Sequence, residues 1–262
     1  MIQVDRPLVF VTGASAGIGE ATARAFAARG ARLLLAARRM DRLRELAAEL
    51  RREYQTETTT LELDVRDSAA VSSAVESLPS EWAAIDVLIN NAGLSRGLDK
   101  AQTGDLDDWD EMIDTNLKGL LYVTRAVLPG MVARGRGDVV LLGSIAGHEV
   151  YPAGNVYCAT KHAVRALAGA LRLDLNGTGV RVSTIDPGMV ETEFSVVRFR
   201  GDADRAARVY GGLTPLSADD VADSIVWAVS RPGHVNVAEI LLLPTDQASA
   251  TVVHRRPTSL RP

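Results

Sequence analysis

The sequence predicts an α/β protein: a doubly wound parallel sheet of about seven strands with helices on both faces. Two observations predict it. Short, continuous apolar runs recur along the chain, and stretches with apolar residues at helical spacing separate them. Strands read as unbroken apolar runs when neither face meets water, the situation inside a parallel sheet covered on both sides. In such a sheet, ligands sit beyond the carboxyl ends of the strands.

The elements follow in order. Residues 8–11 (Leu-Val-Phe-Val) are the first buried strand, and Thr12-Gly13 ends it. Residues 14–29 are alanine-rich with helical spacing, and Gly30 offers a stop. Residues 33–36 are the second strand. Residues 40–54 place Leu43, Leu46, Ala47 and Leu50 on one helix face. A third strand is expected at 61–63, a helix at 68–78 and a fourth strand at 87–89. One long helix is expected over 106–133, kinked near Pro129 because proline removes a helical hydrogen bond. A fifth strand at 139–142, a helix at 156–175 and a sixth strand at 180–185 come next. Residues 191–214 contain glycine and show no clear period. A helix at 221–229 and a last strand at 240–243 complete the pattern, before a polar, basic tail carrying Arg255 and Arg256.

At 262 residues the chain suits one medium α/β domain over 1–262. Cys158 is the single cysteine, so no intrachain disulfide can form, as expected of a reducing compartment. The net charge of -4 and the lack of a basic tract argue against nucleic acid as a partner. Residues 1–7 carry Asp5 and Arg6 and do not read as a signal peptide. No apolar run reaches the roughly 20 residues of a membrane helix. A soluble cytoplasmic protein is expected. No cluster has metal-ligand spacing in the sequence, so no metal site is expected.

Thr12-Gly13-Ala14-Ser15-Ala16-Gly17-Ile18-Gly19 lies between the first strand and the first helix. Glycine allows a sharp turn close to a phosphate, and a helix N-terminus offers free N–H groups and a favourable dipole. Tight turns need glycine too, but the place of the loop in a βαβ unit favours a dinucleotide. Arg38 and Arg39 follow the second strand. An acid there would bind a ribose 2′-hydroxyl, whereas guanidinium groups suit a 2′-phosphate. Arginine at a helix start opposes the dipole, so the pair needs another reason, and NADP is favoured over NAD. Asp64 can accept from an adenine amino group or cap the next helix. Asn90-Asn91-Ala92-Gly93 can line the cofactor or simply turn the chain.

Tyr157 and Lys161 are four apart on one helix and share a face. A phenol, with a pKa of about 10, is a poor base near neutrality. An ammonium about 4 Å away at an effective dielectric of about 20 favours the phenolate by about 4 kcal/mol, roughly three pKa units. Ser144 follows the fifth strand and can hold a substrate oxygen beside Tyr157, or serve the turn it occupies. Asn116 is a poor helix former inside a predicted helix, and can hold a relay water or mark a kink.

Together, Thr12-Gly-x-x-x-Gly17-x-Gly19, Asn90-Asn91-Ala92-Gly93, Asn116, Ser144, Tyr157-x-x-x-Lys161 and Pro187-Gly188 resemble the short-chain dehydrogenase/reductase family over nearly the whole chain. The resemblance implies a Rossmann fold, a single dinucleotide-binding domain over 1–262 that includes a substrate loop at about 188–214. It makes Tyr157 the acid/base, with Lys161 lowering its pKa and binding the nicotinamide ribose. Ser144 would orient the substrate oxygen and Asn116 support a proton relay. Gly13, Ser15, Gly17, Ile18 and Gly19 would cradle the pyrophosphate, with Asp64 and Val65 facing the adenine. Asn91, Ala92 and Gly93 would line the cofactor, and Pro187, Gly188, Val190 and Thr192 its nicotinamide side. Ala16 stands where many NADP-using relatives carry a basic residue, which leaves the 2′-phosphate to Arg38 and Arg39.

The segments 112–116, 124–131, 154–157 and 192–199 look like the NADP-dependent 3-hydroxy acid dehydrogenases acting on serine, allo-threonine and related acids. That resemblance implies oxidation of a 3-hydroxyl, reduction of semialdehydes in reverse, and a homotetramer. A carboxylate must then be recognised. Arg198 is the first candidate because arginine suits bidentate carboxylate binding. Arg200, His148 and Arg96 are further candidates, and a solvated loop charge is the competing reading for Arg198. Two other functions compete: a carbonyl reductase or alcohol dehydrogenase for neutral ketones or sugars, and a non-enzymatic dinucleotide sensor. The sensor has no need of Ser144, Tyr157 and Lys161 together.

Overall fold

The computed structural model describes residues 5–257. The predicted domain bounds, Met1 and Pro262, lie outside them. Seven strands form one parallel sheet: β1 Leu8–Thr12, β2 Arg32–Ala37, β3 Thr58–Glu62, β4 Val87–Asn90, β5 Gly137–Leu142, β6 Val180–Pro187 and β7 Glu239–Leu242. Their spatial order is β3-β2-β1-β4-β5-β6-β7. The chain winds outward from β1 to β3, then returns to place β4 on the other side of β1. That reversal opens a crevice at the carboxyl ends of β1 and β4, the ligand position of a doubly wound sheet.

Alternation along the central strands divides the core in two. Val9 and Val11 of β1, Leu33 and Leu35 of β2, and Val87 and Ile89 of β4 face one way. They pack on α1 Gly17–Ala27, α2 Met40–Tyr54 and α10 Ala218–Val229, through residues such as Phe26, Leu43, Leu50 and Ile225. Phe10, Leu34 and Leu88 point to the opposite face. They meet α3 Ser68–Glu76, α6 Leu120–Arg134 and α7 Asn155–Asp174 through Val71, Val123, Met131, Val164 and Leu171. A fully buried side chain of this size contributes about 1.5–3 kcal/mol, so both layers are held mainly by apolar burial.

The structure departs from the sequence pattern in four places. β3 begins three residues earlier than expected, on Thr58, Thr59 and Thr60. It is an edge strand and half-exposed, so it needs β-branched residues but not apolar ones. A short helix, α4 Ser80–Ala83, precedes β4. The long helix predicted over 106–133 is divided into α5 Leu106–Ile113, a π-helical segment Asp114–Gly119 and α6. The interruption lies at Asn116, not Pro129, and α6 continues through the proline. π-Helical turns are rare and cluster at functional sites. The aperiodic stretch after β6 contains α8 Phe194–Arg198 and α9 Ala203–Val209, each too short to show a period. No helix among the described residues is long and apolar enough to cross a membrane.

Candidate active site

A cleft of about 340 Å³ opens at the carboxyl ends of the strands. Every residue predicted to hold the cofactor lines it, except Gly19. Gly17 turns the chain at φ +57°, a conformation that favours glycine. Gly19 has a packing role instead. A Cβ there would lie 2.4 Å from the Gly13 carbonyl oxygen and 2.5 Å from Asn91 Nδ2. Asn91 Nδ2 donates to the carbonyls of Thr12 (2.9 Å) and Gly13 (3.1 Å), tying the end of β4 to the glycine loop. Ala16 precedes α1 without a capping side chain, so the first-turn N–H groups are left for an oxyanion.

At the far end of the cleft, Arg39 precedes α2. Its Nε donates to Ser15 Oγ (3.1 Å) and its Nη1 to Glu193 (2.8 Å). Arg38 lines the cleft and is exposed to solvent. Asp64 does not cap α3. The cap of α3 is Asp67, which accepts from Ala69 and Ala70. Asp64 lines the cleft, and its ion pair with Arg66 at 2.5 Å holds its carboxyl below the usual range.

The four catalytic candidates come from three elements: the end of β5, the π segment and α7. Tyr157 and Lys161 lie on the first turns of α7, both buried. Ser144 follows β5 and accepts from Ala146 N (3.1 Å), which holds its hydroxyl at the end of the strand. Lys161 Nζ donates to the Leu142 carbonyl (2.8 Å) and lies 5.9 Å from the centre of the Tyr157 ring. Burial pulls the ammonium down to about 8, against the charge of Asp186. The phenol departs from expectation. Burial pushes Tyr157 above its ordinary value, opposed by the charge of Arg198 and a hydrogen bond with Ser144. The opposing charge is that of Arg198 and not, as the spacing predicts, that of Lys161.

Asn116 sits in the π segment and is 2% exposed. Its Nδ2 donates to the Leu94 carbonyl (2.8 Å) and Thr160 Oγ1 (3.2 Å), while its Oδ1 accepts from Leu94 N (2.8 Å). The carboxamide therefore pins the strand-end loop to the helix that carries Tyr157.

Arg198 is the last residue of α8. Its guanidinium carbon lies 5.3 Å from the Tyr157 ring centre and 5.1 Å from that of Phe194, and its Nη2 donates to Tyr151 Oη (3.1 Å). Its Nε is buried without a hydrogen-bond partner among the described residues. The other substrate candidates are turned elsewhere. Arg200 pairs with Asp108. Arg96 grips Glu111 (2.6 Å) and the Val197 carbonyl (2.6 Å), which anchors α8 to α5.

His148 is a correction. It lies off the cleft and pairs through Nε2 with Asp186 (3.0 Å), while its Nδ1 is 3.9 Å from Glu239. Sequence spacing could not reveal this cluster, because β6 and β7 bring in two of its members. Arg165 neutralises Glu239 at 2.9 Å. Cys158 is buried in an apolar cluster with Leu94, Met112 and Ala146, as expected of a packing residue.

Sequence reasoning singled out neither Tyr151 nor Arg42 for a role, and Glu193 only as part of a resemblance. The basic tail also finds a place. Arg255 donates to the carbonyls of Gly211 (2.5 Å) and Val209 (3.0 Å), strapping the end of the substrate segment.

This fold and this constellation define a class, and the chain belongs to it: the short chain dehydrogenase family, whose model matches residues 7–202. Among its relatives is an NADP-dependent 3-hydroxy acid dehydrogenase of Salmonella typhi, 47% identical over 250 residues, 95% of this chain and 99% of the relative. A sulfoacetaldehyde reductase of Chromohalobacter salexigens is also 47% identical, over 95% of this chain and 98% of that protein. A closed form of serine dehydrogenase complexed with NADP+ superimposes with a TM-score of 0.89 at 46% identity, covering 95% of this chain and all of the other.

Proposed function

We propose that this chain is an NADP-dependent oxidoreductase that oxidises the 3-hydroxyl of small 3-hydroxy acids of the serine, allo-threonine and 3-hydroxyisobutyrate type, or reduces the matching semialdehydes. The observation that carries the substrate reading is Arg198, whose guanidinium lies over the Tyr157 ring with an unpartnered buried Nε. A carboxylate two bonds from the reacting carbon can accept from that arginine while its hydroxyl meets Tyr157.

The residues present fit the cofactor. The uncapped N-terminus of α1 suits the pyrophosphate, and Arg38 with Arg39 suits a 2′-phosphate. Asp64 and Val65 would hold the adenine, and Asn91 and residues 187–192 the nicotinamide side. Bound there, NADP supplies the hydride exchange. The chain does the rest. Tyr157 takes the hydroxyl proton in oxidation and returns it in reduction, Ser144 holds the same oxygen, and Lys161 contacts the ribose and sustains a positive field. Asn116 keeps α7 aligned with the loop after β4. The buried setting limits water around the reacting atoms.

A second anion deserves the same site. The sulfoacetaldehyde reductase likeness favours a sulfonate, which presents the same oxygens to Arg198. One panel tests all readings: serine, allo-threonine, 3-hydroxyisobutyrate, 3-hydroxypropionate and neutral alcohols, each with NADP+ and NAD+, and sulfoacetaldehyde with NADPH and NADH. Turnover of the acids with NADP is expected. Preference for neutral alcohols, or for NAD, would overturn the reading. We further place the chain in the cytoplasm as a homotetramer of one-domain subunits. Exposed Leu173 and Trp227 support burial at an interface, and light scattering checks the mass.

A further inference from the structure

Glu193 lies at the junction between the nicotinamide-side loop and α8, far from Arg39 and Arg42 in sequence. Its two carboxylate oxygens are divided between them. Oε2 accepts from Arg39 Nη1 at 2.8 Å, and Oε1 from Arg42 Nη1 at 2.6 Å. Arg39 simultaneously holds the hydroxyl and carbonyl of Ser15, so the carboxylate is joined to the glycine loop through one guanidinium. Arg38 makes no ion pair with an acidic side chain among the described residues, and it faces the same cleft.

Charge decides what this arrangement does. Arg39 and Arg42 share the one carboxylate of Glu193 and Arg38 adds a third positive charge to the cleft, while Asp64 is neutralised by Arg66, which leaves a surplus of two positive charges. A phosphate monoester carries about two negative charges at neutral pH. Glu193 therefore sets the size of the positive surplus and also competes directly for Arg39. The side chains of all three residues in the bridge are nearly half exposed, so the bridges are weak enough for a phosphate to displace.

We propose that Glu193 is a specificity-setting residue that competes with the 2′-phosphate of the cofactor for Arg39, with Arg42 acting as the alternative partner that draws the carboxylate away. This inference rests on the NADP reading above. Because Glu193 directly precedes α8, the competition also ties the adenosine end of the cleft to the helix that carries Arg198.

Calorimetric titration of the full chain with 2′-AMP and 5′-AMP tests it. Glu193→Gln should tighten 2′-AMP by about fivefold, the scale of one exposed ion pair, and move 5′-AMP far less. Arg42→Gln should weaken 2′-AMP by about threefold in the parent, since the carboxylate is then left to Arg39. In the Glu193→Gln background the Arg42→Gln effect should largely vanish. Unchanged or weaker 2′-AMP binding in Glu193→Gln overturns the competition. A full Arg42→Gln effect in both backgrounds overturns the assigned role of Arg42 and makes it a direct phosphate ligand. If the parent binds 2′-AMP no better than 5′-AMP, the NADP reading itself fails, separately from this inference. Circular dichroism of each variant separates these outcomes from misfolding, and Glu193→Asp, which keeps the charge, should restore parental 2′-AMP affinity.

Discussion

The guanidinium of Arg198 lies across the ring of Tyr157, its carbon 5.3 Å from the ring centre, and opposes the upward pull of burial on the phenol. On the proposed function, the arginine that acts on the acid/base would also bind the anion of the substrate. Arg198→Leu should reduce kcat/KM on 3-hydroxy acids by about 10²-fold or more, as expected for the loss of a buried charged partner. On a neutral alcohol the loss should stay under about tenfold. The same variant raises Tyr157 further, so the alkaline shift of its pH profile should recover part of the neutral-alcohol loss. Steady-state kinetics from pH 6 to 10 check both effects, and equal losses on both substrate classes would remove the anion role.

Arg38 is the guanidinium in the cleft that no acidic side chain claims among the described residues. Arg38→Asp places a negative charge where the 2′-phosphate would sit and an acceptor where a 2′-hydroxyl would. The ratio of kcat/KM with NADP to that with NAD should fall by about 10²-fold. A ratio that stays constant would move the phosphate site to other residues.

Lys161 costs stability because it is charged inside the protein. Burial holds it at about 8, below the ordinary 10.5, so the folded state disfavours the ammonium. Below about pH 8 that penalty is complete. Between about 8 and 10.5 the unfolded chain binds more protons than the folded one, and stability rises with pH. Lys161→Met should therefore be inactive yet more stable at pH 7 by about 2 kcal/mol, allowing for the lost bond to Leu142. Its advantage should shrink at pH 10. Thermal unfolding at both pH values checks this, and a constant difference would contradict the buried charge.

Gly19 and Gly169 separate close packing from mere helix propensity. Gly19→Ala drives a methyl against the Gly13 carbonyl at 2.4 Å and should cost about 1–3 kcal/mol, with cofactor affinity falling at least about tenfold. Gly169→Ala meets only Arg172 Nη2 at 3.9 Å and should stabilise α7 by up to about 1 kcal/mol. Denaturant unfolding with dinucleotide titration distinguishes them.

Much of this was legible along the chain because it depends on local pattern. Buried strands must be continuously apolar, helices must repeat near every fourth residue, and a phosphate loop must carry glycine. Those rules located the sheet, the glycine loop, Ser144 at a strand end and the Tyr157–Lys161 spacing. They failed where the pattern was short or polar. β3 was hidden because threonine suits an edge strand, and α8 and α9 are too short for a period.

The sequence alone determined the fold class and the chemical identity of the candidate active-site groups, because both are encoded in spacing within single elements. Only the tertiary structure decided what each group faces. It turned His148 away from the cleft toward Asp186, engaged Arg200 with Asp108, and gave the α3 cap to Asp67 rather than Asp64. It set Arg198 beside Tyr157 and Glu193 between Arg39 and Arg42. Apart from the local cap, those partners are tens to more than a hundred residues apart, and charges act through space and burial, so no local spacing could disclose them.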